Sequence, residues 1–145
     1  MTKPIIFGFY GKSNSGKTNL LLDIIKYFKD KNYKIGSIKI TDKEIQIDAP
    51  GKDSWKYAEA GSDLVVLSSL NETDFILKQG ENIKEIIKKI TKIGSFDLIL
   101  IEGANDEDTL KIRIGDIDKR KNTILTYNNN FEELVNVLEI RIKEK

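Results

Sequence analysis

The stretch GKSNSGKT, residues 11–18, separates the apolar run Ile5 to Tyr10 from a second segment rich in leucine and isoleucine. A cluster of small and polar residues between two core-forming segments allows few local folds. Ile5 to Tyr10 is β-branched and aromatic and stops at Gly11, the pattern of a short buried strand. From Lys17 to Asp30 the residues Leu20, Leu21, Ile24, Ile25 and Phe28 recur at helical spacing, with lysines collecting towards the C-terminal end. The octapeptide fits G-x-x-x-x-G-K-[ST] and has the strand-loop-helix context that this phosphate-binding loop requires. Its small residues let backbone N–H groups turn inward around phosphate oxygens, and the helix N-terminus adds positive potential. Lys17 then reaches the β and γ phosphates and Thr18 offers a hydroxyl to Mg²⁺. The candidate nucleotide-binding residues are Gly11, Lys12, Ser13, Asn14, Ser15, Gly16, Lys17, Thr18 and Asn19. The plainer alternative is a glycine turn that opens a helix and binds nothing.

Further along, Lys34 to Ile40 reads as a second strand and Asp53 to Ala60 as a short helix stopped at Gly61. Asp63 to Ser68 is a third strand, and Thr73 to Leu77 a further one at a sheet edge, with Ser-Ser-Leu-Asn-Glu as its turn. Asn82 caps a helix whose stripe is Ile83, Ile86, Ile87, Ile90 and Ile93, ending at Gly94. Asp97 to Ile101 has the continuous apolar character of a central parallel strand. Leu110 to Ile114 and Thr123 to Tyr127 are two more strands, and Phe131 to Ile142 a closing helix. Strands alternating with helices imply right-handed crossovers and a mainly parallel sheet in one α/β domain covering residues 1–145. Thr41 to Lys52 is the longest stretch without periodicity, a length that in compact domains often serves function.

Composition narrows the chemistry. The 145 residues, 39% hydrophobic and 32% charged, suffice for a core burying roughly 70% of the unfolded surface. Lys and Arg number 24 against 23 Asp and Glu with signs intermixed, so no basic stripe suggests nucleic acid or a membrane surface. With neither cysteine nor histidine, only hard oxygen ligands are on offer, which favour Mg²⁺. The N-terminal apolar run is short and no 18-residue apolar stretch occurs, so the expected location is cytoplasmic and unanchored.

The strand FDLILIEG delivers Glu102 at its C-terminal edge, where α/β sheets bind ligands, making it the candidate metal acid. A loop acid without function is the alternative. Asp97 opens the same strand about 16 Å away and reads as a strand-opening cap. Lys39 ends the second strand, either on a phosphate or in solvent. Asp53 follows PGK at a helix start, either as a ligand or as an N-terminal cap.

Four segments together resemble the MobB family of molybdopterin guanine dinucleotide biosynthesis. They are GKSNSGKT, IGSIKITDKEIQIDAPGKDSWKYAEAGSD, FDLILIEG, and LKIRI followed by TILTYNN, in the family's order. D-x-P-G-K-D-S followed by A-G is the most particular of these. The resemblance implies a P-loop NTPase three-layer sandwich with a mainly parallel β-sheet, of the dethiobiotin-synthetase-like branch. In that branch an acid of the second-strand loop and one after the Walker B strand join the loop threonine around Mg²⁺, which assigns the metal to Thr18, Asp53 and Glu102. It also makes Lys39 a phosphate contact, and Lys17 and Glu102 the residues of any catalysis. The family further implies GTP binding with weak hydrolysis, a homodimer, and association with the guanylyltransferase MobA. Two segments depart from it: ITDKEIQID replaces a histidine-rich stretch, and Ala104 to Asp108 is acidic where aromatic and basic residues are usual. Lys12 occupies the signature-lysine position of the ParA and MinD type, and is otherwise an exposed loop lysine.

Two other functions use the same loop. An ATP-dependent small-molecule kinase would want arginines to clamp the transferred phosphate, and the chain has Arg113, Arg120 and Arg141 only. A MinD-like switch would use Phe131, Leu134, Val135, Leu138 and Ile142 as an amphipathic anchor, against which stand Glu132 and Glu133 and a reading of that stripe as core.

Overall fold

The computed structural model describes residues 3–145. In chain order the elements are β1 (Ile5–Gly11), α1 (Lys17–Lys29), β2 (Ile35–Lys39), α2 (Asp53–Glu59), β3 (Leu64–Ser68), β4 (Thr73–Leu77), α3 (Ile83–Ile93), β5 (Leu98–Glu102), β6 (Leu110–Ile114), β7 (Thr123–Tyr127) and α4 (Phe131–Lys143). They form two compact units, one running to Thr41 and resuming at Ile83, the other Asp42–Asn82.

The larger unit is a five-stranded parallel sheet of order β2-β5-β1-β6-β7. Side chains alternate across it. Phe7, Phe9, Leu98, Leu100 and Ile112 meet Leu20, Leu21, Ile24 and Phe28 of α1 and Leu134, Val135, Leu138 and Ile142 of α4 in one core layer. On the opposite face Ile99 and Ile101 pack with Ile6, Ile38 and the α3 residues Ile83, Ile87 and Ile90. This is a three-layer α/β arrangement of the P-loop NTPase kind. Leu98 to Ile101 are all fully buried, which explains a strand that is apolar at every position. Each such side chain stabilises the fold by about 1.5–3 kcal/mol. The α4 stripe is core, so it is not presented as an anchor, and among the described residues no helix is long and apolar enough to cross a membrane.

Two connections depart from the expected helical crossovers. β5 leads to β6 across β1 through residues 103–109, and β6 leads to β7 through residues 115–122, neither with a helix. The first can lie directly on the sheet because Gly8 has no side chain: a Cβ there would collide with the Cβ of Ala104.

The smaller unit holds β3 and β4 as a separate antiparallel pair, not as members of the main sheet. The turn between them is short, with Ser69 N–H donating to Glu72 O at 2.9 Å and the Ser69 hydroxyl accepting from the N–H groups of Asn71 and Glu72. So tight a reversal enforces antiparallel pairing and excludes a parallel crossover. Among the described residues Val65 is the one buried side chain of this unit. α2 carries Asp53 at its first position and Trp55 within its first turn.

Candidate functional site

β1 ends in the middle of the parallel sheet, between β5 and β6, so the loop after it emerges at the C-terminal strand edge. Ser15 N–H donates to Lys12 O at 3.1 Å, Asn14 has φ 63°, and Gly16 has φ 87°, a value at which any side chain is strained. α1 starts at Lys17 with no side chain capping it, leaving its first backbone donors and its positive end directed at the loop. Lys17 Nζ donates to Gly11 O at 2.8 Å and Lys12 O at 3.2 Å. The loop thereby holds its own ammonium at the position from which it can turn to an anion.

Strand register brings the other groups in. Glu102 ends β5 beside Lys39 at the end of β2, and the two are paired residues of the ladder. Thr18 Oγ1 donates to Glu102 Oε1 at 3.1 Å, and Lys39 Nζ lies 3.7 Å from Glu102 Oε2. Ile40 N–H donates to Glu102 O at 2.9 Å, fixing the acid by its backbone. Ser13, Asn14, Gly16, Lys17, Thr18, Asn19, Lys39 and Glu102 line one open cleft of about 520 Å³. Gly11 supplies a carbonyl to Lys17 beneath it, while Lys12 and Ser15 shape the loop without lining the cleft. Asp53 belongs to the smaller unit, where the neighbouring Ser54 hydroxyl donates to Asp48 Oδ1. Asp97 sits at the opposite strand end: its Oδ2 accepts from Lys34 N–H at 2.8 Å and its carbonyl from Ile5 N–H, so it ties β1 and β2 together as a cap.

A polar network that sequence reasoning did not anticipate joins β1, β6 and the two helix-free connections. The hydroxyl of the buried Tyr10 accepts from Arg120 N–H at 2.9 Å and shares a hydrogen bond with Thr123, while the Arg120 guanidinium lies over its ring. Arg120 also donates to Ala104 O at 2.7 Å, and the Asn122 amide to Glu107 O. Lys111, fully buried, donates to Thr109 O and Lys121 O, each at 2.9 Å. These contacts staple the two helix-free connections to each other. Burial alone would raise the Asp106 carboxyl, yet the Thr109 hydroxyl and amide, with the Lys111 charge nearby, hold it below the ordinary carboxylate value. The alternation in LKIRI was the available signal, since it places Lys111 and Arg113 together on one face.

The residues present fit a magnesium ion. Thr18 and Glu102 offer a hydroxyl and a carboxylate, hard oxygens that suit an ion which completes its shell with water and phosphate oxygens. Among the described residues no three acidic side chains cluster for a metal, so a protein-only cage is not what this site provides.

The family model of molybdopterin guanine dinucleotide synthesis protein B (MobB) matches residues 6–139. The molybdopterin-guanine dinucleotide biosynthesis adapter protein of Haemophilus influenzae is 32% identical over 113 residues, which are 74% of this chain and 61% of that protein. The Escherichia coli K12 protein of the same description is 27% identical over 110 residues, 74% of this chain and 63% of its own. The chain thus spans about six-tenths of the length of these curated relatives. A crystal structure of molybdopterin-guanine biosynthesis protein B superposes with TM-score 0.70 at 20% identity, over 96% of this chain and 99% of that one, a likeness of fold.

Proposed function

The chain belongs to the MobB family of molybdopterin guanine dinucleotide synthesis proteins, and on that footing we propose that it binds GTP with Mg²⁺ as an adapter in this biosynthesis. The observation that carries the reading is the meeting of Thr18 and Glu102 at the start of α1, beside the lysine-bearing loop. The backbone N–H groups of residues 13–18 cradle the phosphates, Lys17 leaves its loop carbonyls for the β and γ phosphates, and Lys39 adds a second cation. Thr18 and Glu102 hold the metal. Bound there, magnesium neutralises charge on the phosphate oxygens.

Turnover is slow, because among the described residues neither a glutamine nor an arginine lines the cleft to orient water or to stabilise transferring charge. Slow turnover suits a protein that presents nucleotide to the guanylyltransferase MobA. A second copy of the chain completes the assembly. The hairpin of the smaller unit supports this, since Leu64, Val66 and Phe75 are roughly half exposed along one face and Leu70 is fully exposed at the tip.

Calorimetry with GTP and ATP, with and without Mg²⁺, tests the site. Micromolar GTP binding that requires magnesium is expected, and preference for ATP would favour a kinase or a MinD-like switch instead. Co-purification with a molybdopterin guanylyltransferase tests the adapter role, and no complex at micromolar concentrations would remove it.

A further inference from the structure

The two oxygens of Glu102 are divided between two partners. Oε1 accepts from the Thr18 hydroxyl at 3.1 Å, and Oε2 faces the Lys39 ammonium at 3.7 Å. The partners differ in mobility. Glu102 is 14% exposed and fixed through its backbone, whereas Lys39 is 68% exposed on a flexible stem. An exposed pair of this kind is weak and exchanges readily. A divalent cation on Glu102 needs the same carboxylate charge and repels an ammonium held so close.

We infer that Lys39 is a charge placeholder at Glu102: a metal ion arriving there displaces the ammonium, which turns within the same cleft onto the phosphate oxygens of the nucleotide. The inference rests on the proposed nucleotide–magnesium reading and adds a coupling to it. Lys39 opposes metal that comes alone and rewards metal that comes with phosphate, because only a phosphate gives the displaced ammonium a new partner. The exchange takes place on the last residue of β2, shortly before the smaller unit begins at Asp42.

The test compares wild type with Lys39→Met and Lys39→Arg. Binding of Mn²⁺ to nucleotide-free protein, followed by electron paramagnetic resonance, tightens severalfold in Lys39→Met and stays near wild type in Lys39→Arg. Binding of GTP in the presence of Mg²⁺, followed by calorimetry, weakens by about tenfold in Lys39→Met, the scale of one hydrogen bond to a charged group, and in EDTA, where the ammonium stays on Glu102, the loss is smaller. An unchanged value in either measurement overturns the inference, as does a GTP–Mg²⁺ crystal complex in which Lys39 still contacts Glu102. If wild-type protein binds no GTP under any condition, the nucleotide reading fails, while the Mn²⁺ comparison still decides the competition at Glu102.

Discussion

The Thr18 hydroxyl donates to Glu102 Oε1 across 3.1 Å of space and 84 residues of sequence. A side chain from the first turn of α1 and one from the end of β5 thus share a single proton position. Glu102→Gln keeps the shape and removes the charge. Its GTP affinity in EDTA should stay at or rise above wild type, because Lys39 is freed for the phosphates, whereas the magnesium-dependent gain should fall by at least about tenfold in calorimetry. Retention of the full magnesium effect would remove Glu102 from the metal.

Lys17→Ala should separate binding from folding. The ammonium is bonded to loop carbonyls and not to the core, so the melting temperature should change little. Loss of two charge-assisted contacts, about 1.5–3 kcal/mol each, should weaken GTP by about a hundredfold or more. Unchanged affinity would show that the loop is not the phosphate site.

Gly8 and Ala104 offer a test of the helix-free crossover. Gly8→Ala should destabilise by about 1–3 kcal/mol in urea unfolding, because the new methyl collides with that of Ala104. Ala104→Gly in the same chain should recover much of that cost. A non-additive cycle is the signature, and strict additivity would mean that the contact is relieved elsewhere.

Asp106 should leave a mark on acid stability. A carboxyl held below its ordinary value in the folded state contributes stability that is complete above the unfolded value, near 4, and is lost as pH falls through the folded value. Asp106→Asn should therefore be less stable than wild type at neutral pH, with the gap closing below about pH 4. Parallel curves in denaturant titrations from pH 2 to 7 would contradict this.

The hairpin surface predicts the oligomeric state. Val66→Asp and Phe75→Asp alter exposed residues that face the same side of the β3–β4 pair, so the fold should tolerate them. In sedimentation velocity they should shift the chain towards monomer relative to wild type. A species unchanged by both would place any self-association elsewhere.

Local chemistry was legible in the sequence, and long-range chemistry was not. GKSNSGKT could be read because its glycines, lysine and threonine act within eight residues, and FDLILIEG because a central strand must be apolar on both faces. The boundaries of β4, Thr73–Leu77, follow from its flanking turn residues. Its partner could not be inferred, since β-alternation specifies a strand and not the sheet it joins. The contact of Tyr10 with Arg120 spans 110 residues, and no local pattern announces a buried tyrosine hydroxyl as an acceptor. Nor does periodicity distinguish a crossover made by a helix from one made by hydrogen-bonded loop, the difference here being the space left over Gly8.

α2 has an optical consequence. Trp55 is the single tryptophan of the chain and stands two positions after Asp53. Selective indole excitation therefore reports on the surroundings of α2. A spectral shift on titrating GTP and magnesium into the wild-type chain is then a label-free record of a change around the helix that begins at Asp53.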